Sequence, residues 1–312
     1  SGMFFFFGFS GITSILKGLG DSKTPLYFMI ISAILNVILD LLFVLVFRWG
    51  IAGVAFATVI AEASAFFLAV WYLNKKHPVI KLSFRKYIFD RSIFKSCIRI
   101  GLPTGFQQSF VAIGMMAIIG VVNSFGTNAV AAYSAAIRID SFAKMPAMTF
   151  SSALSSFVAQ NLGAFREDRA KRGLRVTIFF SLSYSFFVSV LIILFGKYLI
   201  KLFTPDVNVI TIGQDYLIIV SSFYILFSVM FAFTGFLRGA GATLIPMLTT
   251  LASFYLLRIP MAYYLSGEIG VNGIWWSEPI GWLAGMIILM CYYFSGKWRG
   301  KEVVKRPLPE GK

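Results

Sequence analysis

The chain has 312 residues, of which 58% are hydrophobic and 13% charged, and a mean hydropathy of +0.81. Soluble domains run nearer half apolar and a quarter charged, so this composition excludes an ordinary soluble enzyme and indicates an integral membrane protein. The net charge of +15 sits in short stretches between apolar runs, a pattern that suits loops at an anionic membrane face better than a nucleic-acid groove.

The opening "SGMFFFFGFSGITSILKGLG" has an apolar run at 3–16. That gives about 21 Å of helix, short of the ~30 Å of a bilayer core. No charged region precedes it and no cleavage motif follows, so it does not read as a signal peptide. It is expected to be the tail of a span whose beginning lies upstream. Further spans are predicted at 25–47, 50–73, 98–122, 129–161, 174–196, 212–237, 243–266 and 271–294. Most reach the ~20 residues that a membrane helix needs. Backbone polar groups in lipid must be satisfied within the segment, and the runs are too long and too unalternating for barrel strands. The fold class expected is therefore all-α and polytopic.

Lys and Arg collect in alternate loops. The loop 74–97 carries Lys75, Lys76, Lys81, Arg85, Lys86, Arg91 and Lys95, and 163–173 carries Arg166, Arg169, Lys171 and Arg172. The loops 122–128 and 266–272 carry none, and the tail 295–312 is again basic. By the positive-inside bias the basic loops and the C-terminus are cytoplasmic, in the cell (inner) membrane. Cys97 and Cys291 are expected as free thiols near cytoplasmic helix ends. His77 is expected as a solvated loop residue. Pro103, Pro146, Pro260 and Pro279 interrupt spans and are candidate kinks.

An internal repeat organises the chain. "TSILKGLGDSKTP" at 13–25 parallels "TGFLRGAGATLIP" at 234–246, and "GIAGVAFATVIAE" at 50–62 parallels "GVNGIWWSEPIGW" at 270–282. Duplicated bundles are a usual construction of secondary transporters, with sites near mid-membrane. Four segments follow: 1–73 as the later half of a first helical bundle, 74–97 as a basic linker, 98–294 as a second bundle, and 295–312 as a basic tail. The two bundles are expected to be pseudo-symmetric, with the first incomplete.

Polar residues inside the spans carry the functional signal, because ionisable groups at membrane depth are expensive. Asn36 and Asp40, in "SAILNVILDLLF", lie four residues apart and hence on one helix face. Thr58 falls at similar depth on the returning span. Carboxylate, amide and hydroxyl oxygens together suit a hard cation or a protonatable carboxyl, or else a hydrogen-bonded knot that fixes helix packing. At the equivalent positions of the second repeat stand Met261 and Glu278. Arg258 lies at a depth that predicts an ion pair with Glu278, either as a structural specifier or as part of a site. Arg138 and Asp140, in "AAIRIDSFAKMP" with Lys144 following, and Gln107 and Gln108 after Pro103, are candidate cavity residues. No motif for covalent, metal or ATP chemistry occurs, so neither an enzyme nor a bound cofactor is expected.

Taken together, "GLGDSKTPLYFMIISAILNVILD", "GIAGVAFATVIAE", "AAYSAAIRIDSFAKMP", "FVAQNLGA", "FLRGAGAT" and "GIWWSEPIGW" resemble the MATE (multidrug and toxic compound extrusion) transporters, on the prokaryotic DinF-like side. The resemblance covers nearly the whole chain. It implies two six-helix lobes, alternating access, and export of small amphipathic or cationic compounds in exchange for sodium or protons. It also implies that the chain starts in the fourth helix. The DinF-like cation site uses an Asn, an Asp and a Thr that map onto Asn36, Asp40 and Thr58, together with an Asp on the first helix, which this sequence does not contain. The acidic C-lobe positions of the NorM-like branch are not evident in spans 98–122 or 212–237, which favours coupling in the N-lobe. Beyond substrates and the lipid bilayer no partner is implied, neither nucleic acid nor an obligate protein. The alternatives are a lipid-linked saccharide flippase of the same superfamily and a truncated, non-transporting fragment.

Overall fold

A computed structural model describes residues 2–76 and 89–301. His77, most of the basic linker and the end of the tail lie outside the described residues. Within them the chain is helical, with no strand, and divides into two compact units meeting at Phe89 and Asp90.

The first unit holds α1 (Met3–Gly18), α2 (Lys23–Leu41) and α3 (Gly50–Lys76), with a π-helical stretch, Leu42–Val46, continuing α2. Helix α2 is apolar almost all round, and only one stripe turns inward. Pro25, Phe28 and Phe43 are buried, and Ser32, Leu35, Asn36, Leu39 and Asp40 are half-buried between them. Their spacing of three and four residues is one helix face. Ile34, Val37 and Ile38 on the other faces are exposed, as lipid-facing residues should be. On α3 the inward stripe is small: Ala57, Ala61, Ala65 and Ala69 are buried. Small residues let helix backbones approach where lipid offers no hydrophobic drive. Ser32 Oγ donates to the Ala61 carbonyl oxygen at 2.8 Å, and Phe28 meets Tyr72 edge-on at 5.7 Å.

The second unit comprises α4 (Arg91–Asn123), α5 (Thr127–Gly163), α6 (Glu167–Lys201), α7 (Val207–Ser221), α8 (Tyr224–Gly239), α9 (Leu244–Leu251), a π-helical stretch Ala252–Arg258, α10 (Ile259–Ile269) and α11 (Val271–Phe294). Helix α5 is the spine. It packs on α8 so closely that a Cβ at Gly235 or Gly239 would collide with the Ser151 or Ser155 carbonyl. Ser151 Oγ donates to the Phe231 carbonyl oxygen at 2.6 Å across the same seam. After α11 the chain folds back, burying Trp298 against Phe236 and Tyr293. Arg299 Nε then reaches Glu167 at the start of α6 at 3.0 Å.

The sequence repeat is a repeat of turn geometry. Gly20 and Gly241 have φ of +92° and +81°, the left-handed region where a side chain would be strained. In both turns the residue after this glycine donates back to the helix: Asp21 N to the Leu16 carbonyl and Ala242 N to the Leu237 carbonyl, each at 2.9 Å. This is the six-to-one bond of a Schellman cap, with glycine in its required place. Gly50 and Gly270, at +56° and +67°, open the last helix of each repeat in the same way.

Six helices among the described residues are long and apolar enough to cross a membrane, and α7 with α8 forms a further, bent pair. The segment 212–237, expected as one span, is broken by 51° between Ser221 and Tyr224. No proline stands there. Ser222 Oγ donates back to the Ile218 carbonyl at 2.7 Å, and Ser189 Oγ donates to the Ser221 carbonyl at 2.5 Å. Serine hydroxyls thus satisfy carbonyl oxygens at the end of α7, where the helix ladder stops. Pro103, Pro146 and Pro279 instead lie inside helices that continue through them, and Pro260 opens α10.

Candidate functional site

In the first unit, Asn36 and Asp40 sit on the inward stripe of α2, just before the π-helical stretch. Asn36 Nδ2 and Asp40 Oδ1 are both buried and have no hydrogen-bond partner among the described residues. Thr13 Oγ1 of α1 is in the same condition. Buried polar atoms are nearly always paired in folded proteins, so these three orphans set this part of the unit apart. The π-helical stretch after Asp40 adds to it, since such bulges concentrate at functional sites. Thr58 is placed differently. Its side chain is exposed and its hydroxyl donates to the Val54 carbonyl oxygen at 3.0 Å. Its neighbour Ala57 holds the buried stripe, and adjacent helical residues point about 100° apart. Among the described residues, no group of three or more His, Cys, Asp or Glu could hold a metal ion.

The second unit encloses a cavity of about 410 Å³ between α4, α5, α8, the α9–α10 region and α11. Its polar wall is a buried charge network. Lys144 Nζ bridges Asp140 Oδ2 and Glu278 Oε1, at 2.6 Å each. Arg258 Nη2 takes the other Glu278 oxygen at 2.8 Å, which Tyr216 OH approaches at 3.4 Å. Tyr224 OH donates to Asp140 Oδ1 at 2.9 Å. Side chains of Asp140, Glu278 and Arg258 retain only 5%, 7% and 5% of their exposure. Charges this deep are tolerable only when paired and hydrogen-bonded on every side, and here each carboxylate oxygen is engaged.

Aromatic rings complete the wall. Lys144 Nζ lies 4.4 Å from the Trp282 ring centroid, 5.4 Å from Phe227 and 6.0 Å from Tyr224, distances at which a ring face attracts a cation. Arg258 stacks over Phe254 at 4.8 Å. Gln107 crosslinks three elements. Its Nε2 donates to Thr250 Oγ1 at 2.7 Å and the Pro246 carbonyl at 3.2 Å, and its Oε1 accepts from Arg238 Nη2 at 2.6 Å. Gln108 also lines the cavity.

Arg138, expected in the cavity, is exposed and absent from its wall. It lies two residues from Asp140, and residues so spaced point to opposite sides of a helix. Sequence reasoning singled out Arg258, Glu278 and Asp140, which the fold brings into one network, but assigned no role to Lys144 or Arg238. The four-residue spacing of Asp140 and Lys144 was an available signal. Arg238 was visible only as the basic residue of the repeat, where Lys17 is its counterpart.

The MatE family model matches residues 103–264, and the model for the lipid II flippase MurJ matches residues 1–122. Probable multidrug resistance protein YpnP of Bacillus subtilis (strain 168) is 35% identical over 97% of this chain and 67% of its own length. YoeA of the same organism, also a probable multidrug resistance protein, is 30% identical over 97% of the chain and 66% of its length. The chain thus spans about two thirds of the curated relatives it matches. A crystal structure of MATE in the bent conformation superposes with a TM-score of 0.87 at 22% identity, over 96% of this chain and 66% of that one, a likeness that speaks to the fold. A family model matching more than half of the chain, and a relative that is 35% identical over nearly all of it, place this chain in the MATE family of membrane transporters.

Proposed function

We propose that the protein exports small amphipathic compounds by alternating access, driven by sodium or proton entry at Asp40. In this reading residues 1–73 belong to one lobe and 98–294 to the other. The linker 74–97 and the tail 295–312 lie on the cytoplasmic side of the inner membrane. The observation that carries the coupling assignment is the buried, unpartnered Asp40 oxygen with the Asn36 amide one turn away. An acceptor oxygen with nothing to accept can take a proton or share a cation, and either would change the net charge on α2. That change biases the first lobe between two conformations by as much as the ion's differential affinity for them. Thr58 joins such a site only if its side chain leaves the Val54 carbonyl. The second-unit cavity, with a mixed polar and apolar wall, has the character expected of a substrate chamber.

The test is transport in liposomes with sodium and pH gradients imposed independently. Asp40→Asn should abolish gradient-driven efflux of a fluorescent amphiphile, while leaving its binding to the purified protein in place. Unchanged efflux would remove Asp40 from the coupling role. The match of residues 1–122 to the MurJ model supports a second reading, movement of a lipid-linked saccharide. Gradient-stimulated flipping of such a lipid in the same liposomes, without amphiphile efflux, would favour it.

A further inference from the structure

The geometry points to Lys144 as a built-in occupant of a cation cage, which turns the second-unit cavity toward acidic amphiphiles and away from organic cations. This deepens the proposed transport reading and rests on it. Two carboxylates and the faces of three aromatic rings surround one point in space, the constellation that recognises an organic ammonium. Here that point is filled by the chain itself. Lys144 Nζ is 2.6 Å from Asp140 and 2.6 Å from Glu278, with Trp282 at 4.4 Å. An incoming cation would have to displace a tethered ammonium whose effective concentration is high and whose partners are already desolvated.

The charge balance of the wall agrees. Its ionisable residues are Asp140 and Glu278 against Lys144, Arg238 and Arg258, so one positive charge is left over. That excess belongs to Arg238, which has no acidic partner among the described residues. Its Nη2 donates to the neutral Gln107 Oε1, and its Nε is buried with no acceptor. The unspent hydrogen-bonding capacity has the same sign. Every carboxylate oxygen of the cavity is paired, whereas Arg238 Nε, Arg258 Nε, Thr249 Oγ1 and Ser253 Oγ are buried without partners among the described residues. All four can donate. A ligand bearing a carboxylate, sulfonate or phosphate would neutralise Arg238, and side-chain rotation that uncovers these donors would let it accept from them. Phe231, Met115, Met148 and Met230 on the same wall offer an adaptable apolar bed for its body.

Tetraphenylborate and tetraphenylphosphonium test this, being alike in size and apolar surface and opposite in charge. Their binding is measured to the full chain in nanodiscs of phosphatidylcholine, with empty nanodiscs subtracted. The wild type should bind the borate about tenfold more tightly than the phosphonium. Lys144→Met should raise phosphonium affinity by about tenfold, as expected for opening a desolvated cation–π site, whereas Lys144→Arg should not. Arg238→Gln should weaken the borate alone. A wild-type preference for the phosphonium, or a ratio unmoved by Lys144→Met, overturns the assignment. If thermal unfolding shows that Lys144→Met does not fold, Lys144→Gln, which also vacates the ammonium position and leaves both carboxylates in place, takes its place under the same criteria. Binding of neither ion by the wild type would strike instead at the cavity as a substrate chamber.

Discussion

The ammonium of Lys144 on α5 and the carboxylate of Glu278 on α11 meet at 2.6 Å across 134 residues of chain. Through that contact Asp140, Glu278 and Arg258 become one buried network that ties α5 and α11 to the end of the π-helical stretch.

Glu278→Gln should therefore be among the most damaging single changes in the second unit. It leaves Arg258 buried beside a neutral amide, and loss of one partner from a buried pair costs about 3–5 kcal/mol. Thermal unfolding in detergent should show a large drop in midpoint. Replacing both partners, as in Arg258→Met with Glu278→Leu, should recover most of it, because the stranded charge is then gone.

The α5–α8 seam makes a second prediction. Gly235→Val and Gly239→Val place side-chain atoms where the Ser151 and Ser155 carbonyls now stand. Overpacking of a close-packed seam costs about 1–3 kcal/mol or more, with lower yield of folded protein. By contrast, Gly120→Ala, where a Cβ meets nothing, should be neutral in the same assay.

In the first unit, Asn36 and Asp40 should be nearly dispensable for folding. Their orphaned atoms make no bond to lose, so Asp40→Asn should leave the unfolding midpoint unchanged or raised. A fall of several degrees would mean that the carboxylate has structural partners instead.

Cys97 and Cys291 are both free and exposed. In right-side-out vesicles, a membrane-impermeant maleimide should label Cys97 only after the membrane is permeabilised, as the positive-inside orientation requires. Labelling of intact vesicles would invert the assigned topology.

The membrane class, the helical content and the repeat were legible because each rests on local composition. Long apolar runs admit no other spanning structure, and the paired "KGLG" and "RGAG" turns each place glycine at the one position with a left-handed backbone. The inward face of α2 was also legible, since two polar residues four apart in an apolar helix must share a side. The side of α3 was not. Residue count gives Thr58 a depth to match Asp40, but such a count says nothing of azimuth, and the alanine beside it is the residue that turns inward.

By itself, then, the sequence determined a multi-pass helical protein of repeated hairpins, with Asn36 and Asp40 on one face and Arg258 and Glu278 at matching levels. Only tertiary structure decided that Lys144 fills the cage between Asp140 and Glu278, that Arg138 faces away, and that Arg238 is left without an acid among the described residues. Helical periodicity reports which residues of one helix share a side. The rotation of each helix against its neighbours is set by close packing at seams such as that of Gly235 and Gly239 of α8 against α5, and that rotation selects which charges meet.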